Sequence, residues 1–94
     1  MALYAMLGRY GSGSLQQASA DRTKKAQELV KQRGGTIQAI YGLLGKHDLL
    51  VLADFPGVEE AMVASIALTK QIGIEFQTFP AVPVERFDQL LKQA

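Results

Sequence analysis

The sequence predicts an α+β protein of the ferredoxin-like βαββαβ type, with an antiparallel four-stranded sheet and an additional C-terminal helix. Three observations predict it: apolar runs of strand length, stretches with helical apolar spacing, and glycine or proline at the boundaries between them. The order of these segments is that of the split βαβ motif. A chain of 94 residues forms one domain, residues 1–94.

The first half of the chain is predicted to contain a strand, a helix and a second strand. Ala2–Leu7 is a short apolar run typical of a strand, and the Gly- and Ser-rich segment 8–14 is typical of a loop. Apolar residues recur at helical spacing over Asp21–Arg33, and two glycines end this helix. Thr36–Leu44 is the second predicted strand.

The second half repeats the pattern. A hairpin connection containing Gly45 leads into a third strand, Leu49–Phe55, and Val58–Ile72 is the second helix. Ile74–Phe79 is the fourth strand, and a short last helix covers Val84–Lys92. The face of the second helix predicted to meet the core contains Val58, Ala61, Met62, Ser65, Ile66, Thr69 and Ile72.

Both faces of the predicted sheet are apolar. An antiparallel sheet with one wet face alternates apolar and polar residues, and these strands do not. The alternating sets are Leu49, Val51, Ala53 and Phe55 against Leu50, Leu52 and Asp54; Leu3, Ala5 and Leu7 against Tyr4 and Met6; and Ile37, Ala39, Tyr41 and Leu43 against Thr36, Gln38, Ile40, Gly42 and Leu44. Two helices cover one face only, so the other face is an association site.

The simplest cover for that second face is another copy of the chain. Two copies packed sheet to sheet across a two-fold axis form a dimeric α+β barrel, so the sequence predicts a homo-oligomer, dimer or higher. The alternative is that the C-terminal helix folds back over the sheet. The second helix is also apolar beyond one stripe, at Val63, Ala64, Ala67 and Leu68, which predicts a further buried contact.

A few polar residues interrupt the apolar strands. They are Gln38, Asp54, Glu75 and Gln77. If Leu44 pairs near Asp48 in the hairpin, Gln38 falls opposite Asp54 on the same face. A carboxylate in an apolar cleft is suited to proton transfer. The alternatives for Asp54 are a solvated charge at a strand end or a structural hydrogen bond across the dimer.

Composition excludes several function classes. The chain contains no cysteine and one histidine, which excludes zinc–thiolate and multi-histidine metal sites within one protomer. The net charge is only +1, although seven Lys/Arg and two Asp/Glu in residues 1–46 give +5 and three and seven in residues 47–94 give −4. Neither nucleic acid nor membrane is an expected partner, since the third strand lacks the aromatic and basic residues of an RNA-binding sheet.

The N-terminal segment MALYAMLGRY does not have the order of a signal peptide, because its arginine follows the apolar run. No stretch of the sequence reaches the roughly 18 apolar residues of a membrane span. With no cysteine and no export signal, the sequence predicts a cytoplasmic location.

The hairpin segment LLGKHDLL, residues 43–50, resembles the GYD domain family. Gly45 and Asp48 occupy the glycine and aspartate of the name-giving triplet, and His47, preceded by Lys46, replaces the tyrosine. The opening YAMLGRY, the two glycines before IQAIYGLLG and the Ala-rich second helix ending in Gly73 also fit, over residues 3–82. The resemblance implies a ferredoxin-like, dimeric α+β barrel fold. It implies no activity, because no biochemical function is established for the family.

The candidate functional residues lie on the predicted strands and the hairpin. The candidate catalytic residues are Asp54, His47 and Tyr41, and the candidate ligand-binding residues of the inter-sheet cleft are Gln38, Asp54, Gln77, Tyr4 and Arg9. Tyr4, Tyr10, Tyr41 and Phe79 are aromatic residues suited to line a pocket. Asp48 is expected to hydrogen-bond its own turn. No cofactor is predicted, because a hairpin-tip histidine is a poor axial ligand for haem.

Three functions are compatible with these features. The first is a small homo-oligomeric GYD-type domain of unassigned activity that binds a small molecule in the inter-sheet cleft. The second is a cofactor-independent, monooxygenase-like enzyme, or another small-molecule enzyme, of the dimeric α+β barrel type. The third is a stand-alone amino-acid effector domain like that of leucine-responsive regulators.

Overall fold

The computed structural model describes residues 1–11 and 20–94. The elements in these ranges are β1 (Ala2–Tyr10), α1 (Ala20–Gln32), β2 (Thr36–Gly42), β3 (Leu49–Phe55), α2 (Val58–Ile72), β4 (Ile74–Ala81) and α3 (Val84–Gln93). The strands form one antiparallel sheet in the order β2-β3-β1-β4. This is the ferredoxin-like topology, so the predicted fold class is confirmed.

Strand pairing moves three boundaries away from their predicted positions. β1 continues to Tyr10, because its last residues pair with β4 as far as Ile74. β2 ends at Gly42, two residues early. β4 runs through Pro80 to Ala81. Proline is tolerated there because β4 is an edge strand, where a missing N–H breaks no ladder on the outer side.

The connections around α1 follow from glycine. Gly34 has φ of 83°, in the left-handed region, and the Gly35 N–H donates to the Val30 carbonyl at 3.0 Å, which closes the helix C-terminus. Of the loop predicted before α1, residues 8–10 belong to β1 and residues 12–14 lie outside the described part of the chain.

The core lies between one face of the sheet and the two helices α1 and α2. Its fully buried members include Met6 and Phe55 on adjacent strands. The buried cluster consists of Tyr4, Met6, Leu29, Val30, Val51, Ala53, Phe55, Ala61, Ala64, Leu68, Ile72 and Ile74. Each large aliphatic or aromatic side chain buried in this way contributes roughly 1.5–3 kcal/mol.

The packed face of α2 differs from the predicted one. Alanines let the helix approach the sheet closely, so the buried residues are Ala61, Ala64, Ala67, Leu68 and Ile72. Three residues assigned to the core, Val58, Met62 and Ile66, are exposed instead. The predicted second contact is wrong for Ala64, Ala67 and Leu68. The apolar stripe that α2 exposes consists of Val58, Met62, Val63 and Ile66.

A β-bulge in β2 changes which residues face the helices. Ile37 pairs with Ala53 and Ala39 with Leu52, so Gln38 is an extra residue in β2. Ile37 and Ile40 therefore both pack towards the core. The predicted strict alternation, which placed these two isoleucines on opposite faces, is wrong beyond the bulge.

The C-terminal helix does not cover the other face of the sheet. None of the residues of α3 is buried, and α3 forms no extensive contact with any strand or helix. The alternative in which this helix folds back over the sheet is therefore wrong. Among the described residues, no helix has the length and apolar character needed to cross a membrane.

We expect Gly35→Ala to lower the free energy of unfolding by about 1–3 kcal/mol. A Cβ at Gly35 would lie 2.5 Å from Phe55 Cε1 and 2.7 Å from Val30 Cγ1. Those side chains are 0% and 1% exposed and cannot move aside. Gly42→Ala is the control, because a Cβ there has no neighbour within 4 Å. Urea unfolding at one protein concentration compares the two, and equal values would contradict this account.

Candidate functional site

The face of the sheet opposite the helices, the open face, consists of the outward residues of all four strands. Strand pairing arranges them in rows that cross the sheet. Its residues are Leu3, Ala5, Leu7, Arg9, Thr36, Gln38, Ala39, Tyr41, Leu50, Leu52, Asp54, Glu75, Gln77, Phe79 and Ala81. The row that contains Thr36 and Asp54 is one polar end of the open face, and the row that contains Arg9 and Glu75 is the other.

The centre of the open face is apolar. In one row Ala5 lies between Leu52 and Phe79, and in the next Leu7 lies between Leu50 and Gln77. The aromatic residues at its margins, Tyr41 and Phe79, are 54% and 47% exposed. A continuous apolar surface of this kind is typical of association and ligand-binding sites.

One polar end is closed by a hydrogen bond between neighbouring strands. The Gln38 side-chain amide donates to the Asp54 carboxylate. Thr36, rather than Gln38, is the backbone partner of Asp54, and the bulge lets the amide reach back to the carboxylate. The sequence-based pairing of these two side chains is thus confirmed, although the register proposed for it is wrong.

The hairpin between β2 and β3 adjoins the other polar end, and Asp48 holds this hairpin in place. The Asp48 N–H donates to the Gly8 carbonyl at 2.8 Å, and its carboxylate accepts the Tyr10 N–H at 2.9 Å. Its own carbonyl accepts the Leu43 N–H at 2.8 Å. The carboxylate was expected to bond its own turn, but it bonds a strand 38 residues away in sequence instead. Asp48 therefore fixes the hairpin to β1.

Two further motif residues have identifiable places in the hairpin. Gly45 has φ of 147°, a backbone conformation that residues with a side chain rarely adopt. His47 is half-buried, and its Nε2 lies 3.2 Å from Gln77 Oε1, where an Nε2–H group donates to the amide oxygen. The hairpin thereby reaches across β1 to β4.

This reach encloses a concavity of about 200 Å³, the hairpin pocket. It is lined by Leu7, Arg9, Lys46, His47, Glu75, Phe76 and Gln77. Two cationic side chains and one carboxylate face a partly apolar wall, so the pocket is suited to a small ligand with a charged head and an apolar body.

The sequence identified part of this pocket and missed the rest. Arg9, His47 and Gln77 were candidates, whereas Lys46 and Glu75 were not assigned to a binding site. In the backbone register of β1 and β4, Glu75 lies directly opposite Arg9. That register, which depends on where β4 begins, is the signal that would have placed the two together.

Two tyrosines proposed for a pocket belong to the opposite face. Tyr4 is buried in the core and packs edge-to-face on Phe55, with ring centroids 5.9 Å apart. The prediction that Tyr4 binds a ligand in the cleft is therefore wrong. Tyr10 also packs against the core, with the Arg22 guanidinium 5.7 Å from its ring centroid.

The remaining aromatic pair does not form a pocket either. Tyr41 and Phe79 lie on the two edge strands of the sheet, three strand spacings or roughly 14 Å apart. The aromatic pocket predicted from four residues is not formed within one protomer.

The catalytic candidates do not converge. Asp54 lies near the C-terminal end of β3, whereas His47 lies in the hairpin before its N-terminal end, and the strand from Leu49 to Asp54 alone spans roughly 17 Å. Tyr41 is on the edge strand β2, beside Leu50. Asp54 bonds Gln38 and His47 bonds Gln77, so these three candidates form no acid–base pair with one another in one protomer.

The cavity under α1 and the distribution of metal-binding side chains do not provide a stronger site. A cavity under α1 is lined mainly by apolar core residues and has a volume of about 30 Å³, the space of roughly one water molecule. Within residues 1–11 and 20–94, no three His, Asp or Glu side chains are grouped as metal ligands. The open face and its hairpin pocket are the strongest candidate site.

These features define a class: a ferredoxin-like α+β domain whose sheet packs on helices with one face and presents an apolar open face with the other. The model of the GYD domain family matches residues 3–91, so the chain belongs to that family. The match confirms the resemblance and extends it from residue 82 to residue 91, into α3. No curated protein matches the chain.

We expect Asp48→Ala to reduce the free energy of unfolding by about 1.5–3 kcal/mol, because the Tyr10 N–H loses a charged acceptor. Asp48→Asn keeps an acceptor oxygen and is expected to lose less. Lys46→Ala in the same exposed hairpin serves as the control and is expected to change stability by under about 0.5 kcal/mol. Urea unfolding measures the stability of all three variants. An Asp48→Ala variant as stable as the wild type would show that the hydrogen bond from the Tyr10 N–H to the Asp48 carboxylate contributes nothing.

Proposed function

We propose that the chain is a homo-oligomeric small-molecule-binding domain of the GYD type. Two copies pack sheet to sheet through the open face, which creates a cleft between them. A ligand binds with its apolar body in the cleft and its charged head in the hairpin pocket. The cytoplasmic location inferred from the sequence stays a prediction within this proposal.

One observation is the main support for the proposed oligomer: no described element of the chain covers the apolar open face. Leu7, Leu50 and Leu52 belong to the central strands β1 and β3. Burying their apolar side chains would therefore contribute most to the free energy of association. A second copy presents the same surface, and a two-fold axis pairs the two surfaces reciprocally. The net charge of +1 gives little repulsion between copies.

The charges of the hairpin pocket favour a carboxylate head. Arg9 and Lys46 provide two cations against the single carboxylate of Glu75, and His47 and Gln77 add hydrogen-bonding groups. Leu7 connects the pocket to the apolar centre of the open face. The ligand class with the matching chemistry is an aliphatic monocarboxylate.

A second candidate, the amino-acid effector, is favoured by the position of Glu75. This carboxylate is directly across from Arg9 in the strand register, so the pair presents opposite charges side by side. An amino acid carries the complementary ammonium and carboxylate groups. The cofactor-independent enzyme stays a prediction without such support, because Asp54 and His47 are far apart in the protomer.

We expect Leu52→Glu to convert the oligomer to a folded monomer, because the change buries a charge at the centre of the proposed interface. Ala39→Glu, on edge strand β2 of the same face, is a milder second variant. Gln27→Glu on an exposed position of α1 adds the same charge away from the face and is the control.

Sedimentation velocity gives the masses, and circular dichroism verifies folding. Loss of the oligomer in both open-face variants but not in the control supports the interface. A wild-type monomer, or an unchanged oligomer in the folded variants, would overturn it.

We expect octanoate to raise the melting temperature of the wild-type protein and to bind measurably in calorimetry. Arg9→Gln combined with Lys46→Gln should weaken that binding at least tenfold, the loss expected for charge-assisted hydrogen bonds worth about 1.5–3 kcal/mol. 1-Octanol, which has the same chain length without the charge, is the matched ligand control.

The outcomes separate the ligand classes. Stabilisation by octanoate but not by octanol supports the carboxylate proposal. Stabilisation by leucine and not by octanoate would replace it with the amino-acid effector. Equal stabilisation by octanoate and octanol would remove the charged head from the proposal, and no effect of any of the three would overturn ligand binding in the cleft.

A further inference from the structure

Helix α3 is amphipathic and has no packing partner within the described protomer. Its apolar residues are Val84, Phe87, Leu90 and Leu91, spaced so that they share one side of the helix, and they are 38–64% exposed. The remaining residues of the helix are polar or charged. An isolated helix of ten residues is only marginally stable in water, so α3 needs a surface on which to pack.

The linker keeps this apolar side away from the sheet of its own chain. Only Val82 and Pro83 separate β4 from α3. Pro83 has φ of −56° and ψ of 149°, and proline also favours extended backbone at the residue before it. The linker is therefore stiff and extended, and α3 lies with its apolar side unburied in the protomer.

The size of the proposed interface indicates what covers this apolar side. The open face offers fifteen outward residues, whereas a stable interface between two proteins has roughly 20–30 residues on each side. The four apolar residues of α3 would bring the count close to that range. α3 also continues the open face directly, because Ala81 is the last outward residue of β4.

We propose that α3 is an exchanged arm whose apolar side packs on the second copy of this chain. Two-fold symmetry makes the exchange reciprocal, so each copy is held by the arm of the other. The family model reaches residue 91, which agrees with α3 being part of the domain. This inference rests on the proposed sheet-to-sheet dimer and adds to it the second surface that the dimer needs.

Photo-crosslinking tests the exchange directly. A benzoylphenylalanine at position 87, on the apolar side of α3, is expected to yield covalent dimers on irradiation. The same group at position 89, where Gln89 bonds Arg86 on the polar side, is the matched control and should yield few. Mass spectrometry of mixed light and heavy isotope-labelled copies identifies cross-links between chains. Cross-links found only within one chain would overturn the proposal.

Sedimentation equilibrium supplies an independent measure. Phe87→Glu is expected to raise the dissociation constant of the dimer at least tenfold, the effect of losing a central aromatic anchor, and Gln89→Glu should leave it unchanged. Circular dichroism verifies that both variants remain folded. A Phe87→Glu dimer as tight as the wild type would also overturn the exchange.

The open-face variants keep the two proposals distinguishable. If Leu52→Glu is monomeric while Phe87→Glu dimerises normally, the sheet-to-sheet dimer stands and the arm does not. If the wild-type protein is itself a monomer, both proposals fail.

Discussion

The whole structure depends on an apolar sheet that has helices on only one side. β1 and β3 alternate between two apolar sets, so the central strands have no wet face. α1 and α2 remove one set from water, and Met6, Ala53 and Phe55 become fully buried. The other set remains uncovered in the protomer because α3 extends away from it. Folding of one chain therefore removes one face of the sheet from water, and the apolar surface of the other face is available for association.

The polar residues are arranged around that apolar centre. At one end Gln38 and Asp54 satisfy each other across two strands. At the other end Asp48 anchors the hairpin to β1 through its backbone and its carboxylate. This anchoring lets His47 meet Gln77 on β4, and Arg9 lines the same hairpin pocket. The structural role of Asp48 and the binding role proposed for its neighbours are thus linked through one short hairpin.

In the proposed dimer, the surface used for association would also bind the ligand. Leu7 lies in the apolar centre and also lines the hairpin pocket. A second copy packed on the centre would enclose the pocket and exclude water from it, which strengthens charged contacts to a ligand. The exchanged α3 would hold the two copies together from outside the sheets. Assembly and binding are therefore expected to stabilise one another.

The sequence by itself determined the order of the elements and the apolar character of both sheet faces. Alternation along Leu49–Phe55 and the flanking glycines were enough for this, because they are local signals. The face of α2 was not predictable, since Met62 and Ala64 both suit a helix interior and only close packing against the sheet selects the smaller residue.

Tertiary structure decided how the residues of the site come together. The bulge at Gln38 brought its amide to Asp54 despite a different register, and pairing of β1 with β4 placed Arg9 opposite Glu75. Tyr4 had the same residue type as Tyr41 but faces the core. Such assignments depend on register and on contacts between residues distant in sequence, where a shift of one residue reverses every side chain.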